Sequence, residues 1–136
     1  MDVAKTAGSV SAHLELEPAP LVEGQFAHLA FTLTDSKTGR PVTDLQPYLG
    51  AFGHALILSE DMRDYVHAHP FEDIDVAKTF GGPMVTFEGY MPKAGRYRAW
   101  SQFQRNGEVI TIPFTINVLT LDEAYRNPGA SAAGLR

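Results

Sequence analysis

A two-residue Asn106-Gly107 turn divides the C-terminal part of the chain into two long stretches of alternating residues. Asn-Gly is a preferred pair for the tight turns that join two antiparallel strands, because both positions adopt a positive φ at low cost. If Arg105 pairs with Glu108, apolar residues face apolar residues along the hairpin: Tyr97 with Ile116, Ala99 with Phe114 and Phe103 with Ile110. Since the turn and the pattern select the same register, the sequence predicts a hairpin over residues 96–118.

Alternation with a period of two recurs from Val10 to Leu16 and from Gln25 to Thr34, and a further short strand is predicted from Met84 to Tyr90. Such patterns are typical of strands that bury one face. We therefore expect an all-β fold, an immunoglobulin-like antiparallel β-sandwich of about seven to eight strands. Tyr97, at the start of the penultimate strand, is placed like the tyrosine corner of such domains.

The 136 residues suit one domain with its own core. We expect a single sandwich over residues 1–120 and a short C-terminal extension over residues 121–136. Leu121 to Arg126 is compatible with one helical turn, and the Gly/Ala/Ser-rich remainder is expected to be flexible.

Composition excludes several classes of function. The net charge of −5 and the scattered Lys and Arg residues argue against a nucleic-acid partner. With no cysteine, the chain has no disulfide, no thiolate metal site and no ordinary blue-copper centre. No stretch approaches the ~20 apolar residues of a membrane span. Because the N-terminus has no hydrophobic signal core, we expect either a cytosolic protein or the mature form of an exported one.

Three histidines, His54, His67 and His69, fall at the two ends of a second predicted hairpin, over Gly53 to Pro70. If Ser59 pairs with Asp64, then His54 faces His69 and Leu56 faces His67. Directly opposed residues share a face of the sheet, so all three imidazoles are expected on one side, within reach of one ion. Both faces of this hairpin are apolar, so the pattern leaves open whether the histidines face the core or solvent.

Imidazole is the commonest protein ligand for borderline metals, and three histidines with water suit Cu(II) or Zn(II). The alternative is a polar cluster in which the three rings bond to carbonyls and carboxylates. Other residues are weaker candidates for the same site. Met62, Met84 and Met91 are thioethers suited to Cu(I), Trp100 is a ring that could cover a cation, and the acidic residues Asp61, Asp64, Glu72, Asp73 and Asp75 are candidate supporting groups.

His13 and His28 oppose each other if Leu14 pairs with Ala27, which would make a weak cross-strand histidine pair on the solvent face. No Gly-x-Ser-x-Gly elbow, phosphate loop or dinucleotide fingerprint is present, and we expect the protein not to be an enzyme.

Three segments, Gly53 to Ser59, Asp64 to Pro70 and Pro92 to Gln104, resemble bacterial periplasmic domains. These domains are similar to YtkA-like proteins and to domains found beside heavy-metal efflux and copper-handling genes. The resemblance covers residues 45–118, and it implies an exported immunoglobulin-like sandwich with a role linked to metals.

Together, these observations lead us to expect a periplasmic or secreted protein that sequesters or delivers copper, with zinc as the alternative ion, through His54, His67 and His69. The competing hypothesis is a metal-free immunoglobulin-like module that docks on a protein partner of an efflux or assembly system, through the face that carries Trp100, Gln102 and Gln104.

Overall fold

The computed structural model describes residues 4–70 and 80–126. Within those residues it has eleven strands and one short helix: β1 (Ala4–Ala7), β2 (Val10–Glu17), β3 (Leu21–Val22), β4 (Gln25–Asp35), β5 (Leu45–Gln46), β6 (His54–Ser59), β7 (Tyr65–His67), β8 (His69–Pro70), β9 (Met84–Met91), β10 (Gly95–Arg105), β11 (Glu108–Leu119) and α1 (Leu121–Arg126).

The strands of the described residues form two sheets. The five-stranded sheet has the order β1-β2-β4-β9-β8, and the six-stranded sheet has the order β3-β11-β10-β6-β7, with β5 paired to β10. The predicted all-β sandwich is confirmed. The strand count exceeds the expected seven to eight because β3, β5 and β8 have only two residues each, too few to show alternation in the sequence.

Among the strands of residues 4–70 and 80–126, all pairings are antiparallel except that between β3 and β11, which is parallel. The segment that contains β3 leaves the five-stranded sheet after β2 and returns to it as β4. As a result β2 and β4 are not joined by a tight turn, and their register pairs His13 with Thr32 and His28 with Glu17. The expected opposition of His13 and His28 is therefore wrong.

The core lies between the inner faces that the alternation predicts. Phe31 is fully buried at its centre, with its ring centroid 5.8 Å from Phe87, 5.7 Å from Phe103 and 5.5 Å from Phe114. Phe31 and Phe87 come from one sheet, and Phe103 and Phe114 come from the other. The edge-to-face rings therefore join the two sheets, an arrangement that aromatic side chains favour.

The C-terminal hairpin has the predicted register from Arg105–Glu108 to Tyr97–Ile116 and beyond. Its turn has φ values of 53° at Asn106 and 77° at Gly107, which are the positive values that the Asn-Gly pair predicts. Buried Tyr97 donates a hydrogen bond from its hydroxyl to the Lys93 carbonyl oxygen over 2.7 Å, which confirms the tyrosine corner.

Arg105 joins loops at one end of the sandwich. Its guanidinium donates hydrogen bonds to Asp35 (2.9 Å), Asp44 (2.8 Å) and the Ser9 carbonyl (3.0 Å). Asp35 also accepts backbone N–H bonds from Thr38 and Lys37. These hydrogen bonds, first the one from the Thr38 N–H and then the one from Arg105, hold the pKa of Asp35 well below its usual range.

The predicted helical turn at Leu121–Arg126 is present as α1. No helix in the two described ranges has both the length and the apolar character needed to cross a bilayer. Glu72, Asp73 and Asp75, together with the predicted flexible segment 127–136, lie outside the described residues.

Candidate functional site

The histidine hairpin forms with the predicted register over the part that pairs. β6 and β7 align Leu56 with His67, Ile57 with Val66 and Leu58 with Tyr65. The Ser59 N–H donates to the Asp64 carbonyl oxygen at the turn, over 2.9 Å. Two of the three histidines, His54 and His67, therefore share one face of this sheet, as predicted.

That face is the outer face of the six-stranded sheet. Ile57 and Val66 point into the core and are almost completely buried. Leu56 and Tyr65, which share the face of the histidines, are 42% and 56% exposed. The sequence left the orientation of this face open, and the structure places the imidazoles toward solvent.

The chain changes sheets between His67 and His69. β7 ends at His67 as the edge of the six-stranded sheet, and β8 begins at His69 as the edge of the five-stranded sheet. There His69 pairs with Glu88 of β9, while His54 pairs with Gln102 of β10. The predicted opposition of His54 and His69 is therefore wrong, because the hairpin ladder stops two residues before His69.

Gly89 lies against the chain at this change of sheet. A Cβ atom on Gly89 would lie 2.9 Å from Val66 Cγ1 and 3.7 Å from the His67 carbonyl oxygen. These distances show that the backbone of β9 and the end of β7 approach closely. The absence of a side chain at residue 89 leaves space for the Val66 side chain at this edge of the sandwich.

His67 and His69 come together at this edge. Their ring centroids lie 4.1 Å apart, with the ring planes at 72°, and both residues are exposed. The two rings are in contact even though the two residues belong to different sheets. This edge pair, His67 and His69, is the closest grouping of the three predicted ligands.

His54 has a different environment. Its Nε2 lies within hydrogen-bond distance of the Tyr48 carbonyl oxygen, and the Tyr48 ring packs edge-on against it at 5.5 Å. A carbonyl can only accept, so Nε2 carries the proton, and Nδ1 is the nitrogen left with a lone pair. Within residues 4–70 and 80–126, no three or more His, Asp or Glu side chains are arranged as a ready-made metal site.

A row of side chains that sequence reasoning missed begins at His69. The strand register places His69 opposite Glu88, Glu88 opposite His28, and His28 opposite Glu17, across four neighbouring strands. His28 Nε2 lies 3.9 Å from Glu88 Oε2. The alternating pattern of β9 places Glu88 on the solvent face, but no sequence signal pairs it with His69, because β8 has only two residues.

A shallow groove of about 620 Å³ lies beside the edge pair on the outer face of the six-stranded sheet. His54 and His67 line it together with apolar and aromatic side chains, among them Leu56, Tyr65 and Trp100. Trp100 pairs with Leu56 in the sheet. The groove is therefore largely apolar, with a histidine at each of two positions along its wall.

The acidic residues near the hairpin turn, Asp61 and Asp64, make hydrogen bonds and an ion pair with nearby residues. Asp61 accepts a hydrogen bond from the Ser59 hydroxyl (2.6 Å) and one from the Arg63 N–H (3.0 Å), and these bonds lower its pKa. Asp64 pairs with Lys93 over 3.0 Å. Both carboxylates are therefore engaged in these contacts. They also lie at the opposite end of β6 from His54.

The three candidate methionines, Met62, Met84 and Met91, differ in burial. Met91 is fully buried in the core, whereas Met62 and Met84 are exposed. Met62 lies in the hairpin turn with a φ of 64°. Met84 pairs with Thr32 on β4. It lies on the same outer face as Glu88, four residues earlier on β9.

The fold and the edge pair together define an all-β sandwich protein with two contacting histidines where one segment passes between the sheets. The sequence model of a family described as a domain of unknown function (DUF8832) matches residues 5–120, and the chain belongs to that family. This match is to a domain of unknown function and not to a YtkA-like or copper-handling family. A search of curated proteins finds no match.

Solved structures with a similar fold include a DUF4426 family protein from Pseudomonas aeruginosa PAO1. The similarity covers 87% of this chain and 97% of that one, with 7% identity and a TM-score of 0.59. Domains 4 and 5 of the S-layer protein SbsC match 86% of this chain and 53% of theirs, with 15% identity and a TM-score of 0.41. The first similarity supports the sandwich fold.

Proposed function

We propose that this protein binds one transition-metal ion at the edge pair, Cu(II) in the first place and Zn(II) in the second, and that it sequesters or delivers the ion without catalysing a reaction. The observation that carries the proposal is the 4.1 Å separation of the His67 and His69 rings. Both rings are exposed, so an ion can reach them without any opening of the core.

The chemistry of the two rings favours this ion class. A neutral imidazole presents one nitrogen lone pair, and for such sites affinity rises along the first transition series to a maximum at Cu(II), with Zn(II) below it. His54, the third ligand predicted from the sequence, shares the groove wall with His67 and keeps Nδ1 for coordination. The resemblance to periplasmic domains associated with copper supports the same ion and a periplasmic or secreted location.

The first test is calorimetric titration of the full chain, produced without a His-tag, with Cu(II), Cu(I) and Zn(II). His67→Ala and His69→Ala are each expected to weaken Cu(II) binding by at least about 10- to 100-fold, because each removes one of two direct ligands. His54→Ala measures whether the third histidine takes part.

His13→Ala is the matched control, since His13 is also an exposed strand histidine but lies on β2. It is expected to bind Cu(II) as the wild type does. Equal affinities for wild type and His67→Ala would contradict the proposal.

The groove favours a second candidate function, a metal-free interaction module for a protein partner of an efflux or assembly system. Leu56 and Tyr65 are large apolar side chains exposed beside Trp100. A concave surface with aromatic side chains is typical of sites that bind another molecule. Under this hypothesis the histidines would contribute polar contacts at the wall of the groove.

This second function is tested by a photo-crosslinking amino acid placed at residue 65 in living cells of the native host. A discrete crosslinked partner is expected from residue 65 and not from residue 26, because Phe26 is 63% exposed on the other sheet, beside Tyr90. The same product from both positions, or none from residue 65, would count against a partner in the groove.

A further inference from the structure

The row His69–Glu88–His28 contains a carboxylate directly beside the edge pair. Glu88 lies on β9, and its strand neighbours on the two sides are His69 on β8 and His28 on β4. Directly opposed residues on neighbouring strands have Cβ atoms about 4.5–5.5 Å apart and share a face. The backbone therefore places the Glu88 and His69 side chains next to each other on one face, and a shared ion would complete the site by rotation of these side chains, since the described residues form no ready-made three-ligand group.

Glu88 is better placed for this role than His54. Residue 54 is two positions along β6 from Leu56, the residue that pairs with His67, so it is a diagonal neighbour at about 7–8 Å. Its Nε2 is also committed to the Tyr48 carbonyl oxygen. The Glu88 side chain is 38% exposed, and its Oε2 lies 3.9 Å from His28 Nε2, a separation at which the carboxylate can still turn toward a metal ion.

We propose that Glu88 is the third protein ligand of the metal ion at the edge pair, and that His28 positions the Glu88 carboxylate. This inference rests on the proposed metal-binding function and adds to it a specific ligand set, two imidazoles and one carboxylate. Two histidines and one glutamate form a known set for Zn(II), with the fourth position left to water.

The ligand set has a consequence for the oxidation state of copper. Carboxylate oxygen is a hard ligand, which suits Cu(II) and Zn(II), whereas Cu(I) prefers soft thioether and thiolate sulfur. Loss of Glu88 therefore weakens the divalent ions selectively. Because His67, His69 and Glu88 are exposed or half-buried, their side chains can change rotamer on binding without repacking the core.

The ligands reach the edge from both sheets. His67 lies on β7, the edge strand of the six-stranded sheet, whereas His69 and Glu88 belong to the five-stranded sheet. Gly89, the next residue after Glu88, is the position that keeps β9 close to β7. The two sheets thus approach each other beside Glu88, next to the segment that carries His67 and His69.

The test compares Glu88→Gln with the wild type in titrations of the full chain with Cu(II), Zn(II) and Cu(I). Glu88→Gln is expected to bind Cu(II) and Zn(II) about 10- to 100-fold more weakly and to bind Cu(I) unchanged, and His28→Gln is expected to cost about 10-fold for Cu(II). Electron paramagnetic resonance of the Cu(II) wild type is expected to show coupling to two imidazole nitrogens.

Glu15→Gln is the matched control, because Glu15 is also an outer-face glutamate beside a histidine, with His13 Nε2 at 3.8 Å. It is expected to leave all three affinities unchanged, and the metal-free variants are checked by their thermal midpoints. If His67→Ala weakens Cu(II) binding and Glu88→Gln does not, Glu88 is not a ligand and the metal-binding function stands. If the wild type binds neither Cu(II) nor Zn(II), both proposals are overturned.

Discussion

Phe31→Ala is expected to lower the free energy of unfolding by about 3–5 kcal/mol, the largest effect of any single substitution considered for this protein. Phe31 is fully buried, and its ring contacts three other phenylalanine rings, with centroid separations of 5.5–5.8 Å. Truncation removes these contacts and leaves a cavity between the two sheets. Since small domains have a total stability of about 5–15 kcal/mol, the variant is expected to remain folded at 25 °C with a much lower urea midpoint.

Phe26→Ala is the control on the same strand. Phe26 also contacts an aromatic ring, that of Tyr90 at 5.3 Å, but it is 63% exposed on the outer face. Its loss is expected to cost less than about 1 kcal/mol, because most of its surface is already hydrated in the folded state. Similar urea midpoints for the two variants would show that Phe31 does not lie at the centre of the core.

Arg105→Ala is expected to give the second largest loss, about 2–3 kcal/mol at pH 7. Removal of the guanidinium leaves Asp35 and Asp44 without their shared cation, and it leaves the Ser9 carbonyl without its donor. A fully buried pair would cost more, but Asp35 and Asp44 keep 21% and 42% of their side-chain surface exposed, which screens the lost interaction.

The loss of stability caused by Arg105→Ala is expected to depend on pH, because the ionisation of Asp35 determines how strongly Arg105 stabilises the fold. The pKa of Asp35 is held below its ordinary value of 3.8 in the folded protein, so its ionised form adds stability above that pH. This contribution is lost progressively as the pH falls from 3.8 through the lower pKa of the folded state, and it is lost sooner in Arg105→Ala, in which only the Thr38 and Lys37 N–H bonds still lower the pKa of Asp35. The difference between wild type and Arg105→Ala is therefore expected to be full at pH 7 and to shrink at pH 3, as measured by urea unfolding at both values.

Arg126→Ala serves as the control for charge removal. Arg126 pairs with Asp122 over 3.2 Å in an exposed i,i+4 contact on α1, where both side chains are more than 60% exposed. A change below about 0.5 kcal/mol is expected at both pH values. A loss at Arg105 that is equally small, or that does not change between pH 7 and pH 3, would rule out the role assigned to its guanidinium.

The sandwich was predictable from local pattern wherever a turn fixed the register. The Asn106-Gly107 pair and the alternation around it specify the same β10–β11 pairing, and the structure has that pairing over its full length. The His hairpin likewise follows its predicted register at Leu56–His67. In both cases the residues that decide the pairing are close in sequence.

The prediction of strand register was wrong where the pairing depends on residues that are distant in sequence. The two-residue strands β3 and β8 carry no alternation, yet each one moves the chain from one sheet to the other. The departure at β3 changes the partners of His13 and His28, and the change at β8 takes His69 away from His54 and places it opposite Glu88. The two residues of the edge pair were thus predictable as candidate ligands, whereas Glu88 became a candidate only once the sheet order was known.

One short segment pairs with both sheets, and this is expected to affect local unfolding of the protein. Residues 65–67 pair with β6, and residues 69–70 pair with β9, with only Ala68 between the two segments. We therefore expect fraying in one of these short ladders to weaken the other, because adjacent residues of one segment pair in both. Hydrogen exchange at the backbone amides of residues 65–69 is thus expected to report on the edges of both sheets at once.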